Sequence, residues 1–161
     1  NGVIHIIDKV LLPTLADTAA AYDDGTTKFS TLIAAVKAAE LGATLSSPGP
    51  FTVFAPTDAA FAALKTQVGD AKWTALLADK AKLTTILTYH VVSGAVYQKD
   101  VAAGDVTTVS MGKIKVMVNN GAVTIGDSTA TAAKVVFTDV PARNGVIHVI
   151  DKVLIPSGIT L

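Results

Sequence analysis

The chain contains no cysteine. That excludes a disulfide framework, a thiolate zinc site and a thiol nucleophile, but assigns no compartment, because many secreted bacterial proteins also lack cysteine. It carries no net charge either: 13 basic residues balance 13 acidic ones, and no basic cluster exceeds the pair Lys80 and Lys82. Attraction to nucleic acid or to an anionic membrane surface is therefore not expected. No apolar run approaches the roughly 20 residues of a membrane-spanning helix, so membrane insertion by this segment is not expected. The recurrent catalytic and phosphate-binding patterns are missing as well: G-x-S-x-G, H-E-x-x-H, G-x-x-x-x-G-K and G-x-G-x-x-G. Glu40 is the only glutamate, and neither Asp23-Asp24-Gly25 nor the stretch from Asn119 to Asp127 has the acidic alternation and distal Glu of an EF-hand loop. Turn chemistry accounts for both segments. No cofactor, metal or catalytic residue is assigned.

What is present is a repeat. NGVIHIIDKVLLP, residues 1–13, returns as NGVIHVIDKVLIP, residues 144–156, with eleven of thirteen positions identical and changes only at Ile6/Val149 and Leu12/Ile155. The offset of 143 residues is about one domain length, not a solenoid period. Tandem domains are the simplest reading: residues 1–13 close a preceding domain and 14–161 form the next. At 161 residues and 50% hydrophobic content, the chain can fill one sizeable core.

The β-branched residues after Asn1-Gly2, ended by Pro13, read as a strand. Thr14 to Tyr22 is helix-prone and Asp23 to Thr27 is a turn cluster. Phe29, Leu32, Ile33, Val36 and Leu41 recur at helical spacing, predicting a helix from Lys28 to Gly42, with Gly42 as its left-handed stop. Ser46 to Pro50 reads as a loop and Phe51 to Phe54 as a strand. Thr57 and Asp58 offer acceptors for the free N–H groups of a helix from Ala59 to about Lys65. Asp70 is expected to cap a helix bearing Trp73, Leu76 and Leu77, and Lys82 to Thr88 forms another. Tyr89 to Val92 reads as a strand leaving it. Alternating Ile114, Val116 and Val118, the Asn119-Asn120-Gly121 turn, Val123 and Ile125, then Lys134 to Thr138 and the second repeat copy, make the remainder β. Helices first and strands after is an α+β order.

Three pieces, in this order and spacing, resemble the signature blocks of the fasciclin domain family. They are Phe51-Thr52-Val53-Phe54-Ala55-Pro56-Thr57-Asp58-Ala59-Ala60-Phe61, the Tyr89-His90 pair, and Asn144 to Pro156 with Asn144, Gly145, His148 and Asp151. The resemblance covers nearly all of 14–156. It implies N-terminal helices packed around a wedge-shaped β-sandwich, tandem copies, and adhesion in secreted or surface-anchored proteins. The expected partners are surface or matrix proteins or glycans, and the expected location is extracellular or at the cell surface. With no Arg-Gly-Asp tripeptide and no N-x-S/T sequon, a microbial surface or matrix protein fits better than an integrin ligand.

Each motif also has a plain structural reading. Phe51, Val53 and Phe61 suit core positions, while Pro56, Thr57 and Asp58 suit a helix start. Apolar flanks favour a buried Tyr89-His90 pair, with a weaker alternative in which both, with the loop from Gly94 to Lys99, touch a partner. In a regular strand His148 and Asp151 point to opposite faces, which disfavours a catalytic His-Asp pair. The alternatives to adhesion are a structural spacer between binding domains and a small-ligand or lipid binder with an apolar pocket between helices and sandwich. Residues 1–13, lacking a home domain, are expected to lie along the surface or to associate with another chain.

Overall fold

The computed structural model describes Thr18 and residues 28–159 except Asn120. The leading repeat copy, most of the Thr14 to Tyr22 helix and the Asp23 to Thr27 turn lie outside the described residues; Thr18 itself is helical and buried.

Among the described residues, besides helical Thr18, five α-helices precede or interrupt the sheet: α1 Ser30–Ala38, α2 Gly42–Ser46, α3 Asp58–Val68, α4 Asp70–Ala78 and α5 Lys80–Tyr89. The described residues also hold seven strands, numbered in chain order: β1 Phe51–Pro56, β2 Val91–Ser93, β3 Gly104–Thr107, β4 Lys113–Asn119, β5 Ala122–Gly126, β6 Ala133–Ala142 and β7 Gly145–Ile150. The architecture is α+β, with one sheet in the order β2-β1-β7-β6-β5-β4-β3. Every pair is antiparallel except β1 with β7, which is parallel and sets Phe51 opposite Gly145 and Phe54 opposite His148.

The sheet folds into two leaves because β6 is shared unequally. It meets β5 only through Ala133 and Lys134, but pairs with β7 from Val135 to Ala142, with irregularities on either side of Phe137. Asp139 takes a left-handed φ of 59° in this stretch, which Asp tolerates better than a branched residue. Between the leaves sits one core of Phe54, Tyr89, Ile114, Val116, Ile125, Ile150 and Leu154. A second core, of Leu32, Phe61, Leu64, Leu83, Ile86, Ile147 and Val149, lies between the helices and the outer face of β1 and β7. Strand alternation explains the division: Val53, Ala55, Ile147 and Val149 face the helices, whereas Phe54 and Ile150 face the wedge. All six residues of β7 are buried, so the period-2 pattern is invisible in its burial.

Several boundaries differ from the expectations. The helix predicted to run to Gly42 ends at Ala38, and the left-handed residue beyond it is Glu40 at φ 56°. The Leu41 N–H reaches back to Val36 O at 3.0 Å, a Schellman-type closure that satisfies the last carbonyls. Gly42 instead opens α2, which takes over the start of the predicted loop. Asp70 is the first residue of α4 rather than its cap, and Gly69 precedes it with φ 85°. Tyr89 and His90 do not belong to a strand: Tyr89 ends α5, His90 is its C-cap, and β2 begins at Val91.

Candidate functional site

The first signature block builds two helix starts, not one. Thr57 Oγ1 accepts from the Ala60 N–H at 3.2 Å and so caps α3. Asp58 turns away from its own helix: Oδ1 accepts from the Thr31 N–H at 2.8 Å and Oδ2 from the Ser30 hydroxyl, capping α1 from 27 residues away. Its own N–H donates to Lys28 O at 2.9 Å. Burial pushes the Asp58 carboxyl up, but the bonds from Ser30 and Thr31 outweigh it and hold the group below the usual carboxylate range. Phe61 packs edge-on against Trp73 with ring centroids 6.2 Å apart. Pro56 ends β1 in the interior, fully buried.

Tyr89 and His90 lie at the junction of both cores, 2% and 3% exposed. The Tyr89 hydroxyl donates to Lys113 O at 2.6 Å, and Gly112 crowds its ring so closely that a Cβ there would lie 2.7 Å from Cε2. His90 donates from Nδ1 to Ile86 O at 2.7 Å and accepts at Nε2 from the Leu154 N–H at 2.9 Å. These two bonds fix one neutral tautomer. Burial lowers its pKa to about 4, against weaker opposing effects of the Ile86 carbonyl and the Asp127 charge. At this exposure neither side chain can touch a partner on the closed fold. The contact assignment at Tyr89 and His90 is therefore corrected to an internal one, and the apolar flanks are its cause.

The closing block is pinned at every polar position. Asn144 donates from Nδ2 to Leu45 O and Ser47 O at 2.7 and 2.9 Å. Gly145 passes so near β1 that a Cβ would lie 2.0 Å from Phe51 O. His148 stacks on Phe54 with centroids 5.8 Å apart, donates from Nε2 to Val96 O at 2.8 Å and accepts at Nδ1 from the Asp139 N–H at 3.3 Å. It thus uses the opposite tautomer from His90. Asp151 accepts from the Lys134 N–H at 2.7 Å and stands apart from His148, past the end of β7.

Sequence reasoning missed Asp127. Its carboxylate accepts from Lys152 Nζ at 3.1 Å on both oxygens, from Thr129, and from the Ile155 N–H at 2.8 Å. Lys152 also donates to Thr129 Oγ1 and Thr131 O. Burial alone would raise the Asp127 pKa, but these donors together hold it low. An Asp-x-Thr spacing was the available signal, since it favours an Asx turn, but nothing local points to Lys152, 25 positions on.

Open apolar surface occurs at several places among the described residues. A cavity of about 260 Å³ lies among α1, β1 and β2, lined mainly by apolar groups including Leu32, Val36, Leu41, Phe51, Val53 and Ile147. On another face, Val136 and Phe137 of β6 are 48% and 46% exposed, and Tyr97 is 38% exposed. The Tyr97 loop is fastened beside β6, because the Gln98 N–H donates to Asp139 Oδ1 at 2.8 Å and Thr138 Oγ1 donates to the Gln98 side chain at 2.8 Å. Among the described residues no three His, Asp or Glu side chains gather as a metal-binding group, and no helix is long and apolar enough to cross a membrane.

The described residues thus form a two-core α+β wedge, with His90 and His148 locked to the backbone and open apolar surface on its loops and sheet. The chain belongs to the fasciclin domain family, whose model matches residues 27–156. It is 47% identical over 132 residues to Protein sll1483 of Synechocystis sp., covering 82% of this chain and 69% of that protein. It is 43% identical over 129 residues to the uncharacterized protein sll1735 of the same organism, covering 80% and 90%. In fold it resembles the FAS1 domain pair of the insect cell adhesion molecule Fasciclin I, with a TM-score of 0.55 at 23% identity over 75% of this chain and 40% of the pair.

Proposed function

We propose that this chain is a non-catalytic adhesion module, acting outside the cell or at its surface by contact with a surface or matrix protein or glycan. The observation that carries this reading is the commitment of both described histidines: His90 and His148 each spend both ring nitrogens on backbone partners, so neither is free to act as a base or nucleophile. Fasciclin family membership and the fold of a cell adhesion molecule support it. The contact face proposed is the Tyr97 loop together with Val136 and Phe137, because aromatic and aliphatic groups that stay exposed beside a rigid sheet are the ones a partner can desolvate.

The test is attachment of beads coated with the chain to cells or isolated matrix, comparing Tyr97→Ala and Phe137→Ala with the parent. Each substitution is expected to leave stability within about 0.5 kcal/mol while reducing attachment several-fold. Unchanged attachment in both would favour the alternative of a spacer that merely sets the distance between binding domains.

The cavity beneath α1 favours a second reading, a carrier of a small apolar or lipid ligand. Saturable uptake of an apolar fluorescent probe, abolished by Val36→Trp at unchanged stability, would support it.

A further inference from the structure

We infer that the open end of the wedge binds a small uncharged amphiphile, apolar along its body and carrying a hydroxyl at one end. β5 and β6 stop pairing after Lys134, so beyond that point the two leaves stand apart with no ladder between them. A cavity of about 220 Å³ occupies the gap, with Val123 of β5 on one wall and Thr138 of β6 and His148 of β7 on the other. It is separate from the cavity beneath α1. The two lie on opposite faces of β1, and among the described residues only Phe54 borders both.

Polarity changes sharply from floor to rim. Val92, Val116 and Ile125 form a buried apolar floor, whereas Gln98, Asp100 and Ala102 at the rim are exposed. The polar atoms on the walls are already bonded within the protein. The Thr52 hydroxyl donates to Gly94 O at 2.7 Å and accepts from the Val96 N–H at 2.9 Å. His148 uses both ring nitrogens, and Thr138 Oγ1 donates to Gln98 Oε1. A water inside would find too few partners, and apolar cavities of this kind stay dry and take up apolar guests. Since such a cavity of about 150 Å³ holds benzene, this one has room for roughly nine heavy atoms.

The rim selects the other end of the guest. Gln98 bridges the two leaves there: its backbone N–H donates to Asp139 Oδ1 at 2.8 Å, and its Nε2 to Gly121 O at 3.4 Å. The second bond is long, so it yields readily to a ligand hydroxyl. Asp100 carries the only charge among the described residues of the lining. Its carboxylate can accept a hydroxyl hydrogen but repels the carboxylate of a fatty acid. An alcohol therefore suits the site and an acid does not.

Straight-chain 1-alkanols from butanol to decanol are the probes, titrated onto the folded chain. Saturating shifts of the Val116, Val123 and Ile125 methyl resonances read occupancy of this cavity. Affinity is expected to rise about four-fold per added methylene as far as 1-octanol, which matches the cavity in size, and to level off beyond it. Octanoate at pH 7 should bind several-fold more weakly than 1-octanol. Val123→Phe fills the cavity from its wall, and Val101→Trp closes its half-buried rim without touching the floor. Each should abolish the remaining shifts, and Val101→Trp keeps the test open if Val123→Phe fails to fold. Val36→Trp, in the cavity beneath α1, should leave them unchanged, which separates this site from the carrier reading given above. Any one of five results would overturn the inference: no saturating shift with any alcohol, affinity climbing evenly past octanol, octanoate binding as tightly as octanol, shifts that survive in folded Val101→Trp, or shifts lost in Val36→Trp.

Discussion

The backbone N–H of Leu154 donates to Nε2 of His90 across 2.9 Å, joining residues 64 positions apart at the end of α5 and in the closing block. The bond requires an unprotonated Nε2, so it ties the closure of the fold to the neutral state of one ring.

Stability should consequently fall in mild acid. The folded pKa of His90 is lowered from 6.5 to about 4, so between these values the unfolded chain binds a proton that the folded chain refuses. The contribution is complete above pH 6.5 and is lost as pH falls through the folded pKa. It amounts to about 3 kcal/mol in all, with a slope of at most about 1.4 kcal/mol per pH unit. Urea midpoints at pH 7, 5.5 and 4.5 would show it, and His90→Asn should be less stable at pH 7 yet flatter across this window. Asp58 and Asp127, whose pKa values are lowered from 3.8, add their own losses only at still lower pH.

Removing either of the two adjacent caps in the first block should be felt in a different helix. Thr57→Ala frees the start of α3 and Asp58→Ala the start of α1, each costing about 1 to 2 kcal/mol by the usual worth of an N-cap. Hydrogen exchange would separate them: Asp58→Ala should expose the amides of Ser30 to Leu32, and Thr57→Ala those of Ala59 to Phe61.

This division of labour shows where the sequence was readable and where it was not. Local signals were sufficient for Thr57, whose hydroxyl acts three residues away, and for the period-2 pattern of β4. Asp58 looked like a second cap for the same helix because its true partner lies 27 residues back, and capping geometry carries no trace of that in sequence. Glu40 takes the left-handed position that Gly42 was expected to fill, since the local bonds from Glu40 N–H to Lys37 O and from Leu41 N–H to Val36 O close the helix before the glycine is reached. The Tyr89-His90 pair read as ambiguous because an amphipathic ring suits an interface and a core equally; burial was decided by Lys113 O and by Leu154, both distant. Asp127 was missed for the same reason.

Replacing Asp127 by Ala leaves Lys152, the Ile155 N–H and the Thr129 N–H without their shared acceptor. The expected loss is about 3 kcal/mol, measurable by denaturant unfolding at pH 7. Asp127→Asn should recover part of it, because one amide oxygen still accepts.

Around Tyr89, two small changes should differ in kind. Tyr89→Phe removes one hydroxyl and strands Lys113 O, for about 1 kcal/mol. Gly112→Ala adds a Cβ 2.7 Å from the Tyr89 ring, and should cost about 1 to 3 kcal/mol by overpacking. Combining them should give no extra clash relief, since the ring itself is unchanged; melting curves of the two single variants and the pair would test this.

The parallel pairing of β1 with β7 joins Phe51 to Gly145, 94 positions later. A polypeptide emerging in order from the ribosome completes both edge strands, β2 and β3, before the interior strand β7, which comes last. Both cores stay open until Ile155 has been added, so a partly synthesised chain has no finished wedge to resist unwinding. Folding of this domain therefore waits for its last strand, and a chain cut anywhere before Gly145 lacks an interior strand of the sheet rather than an edge.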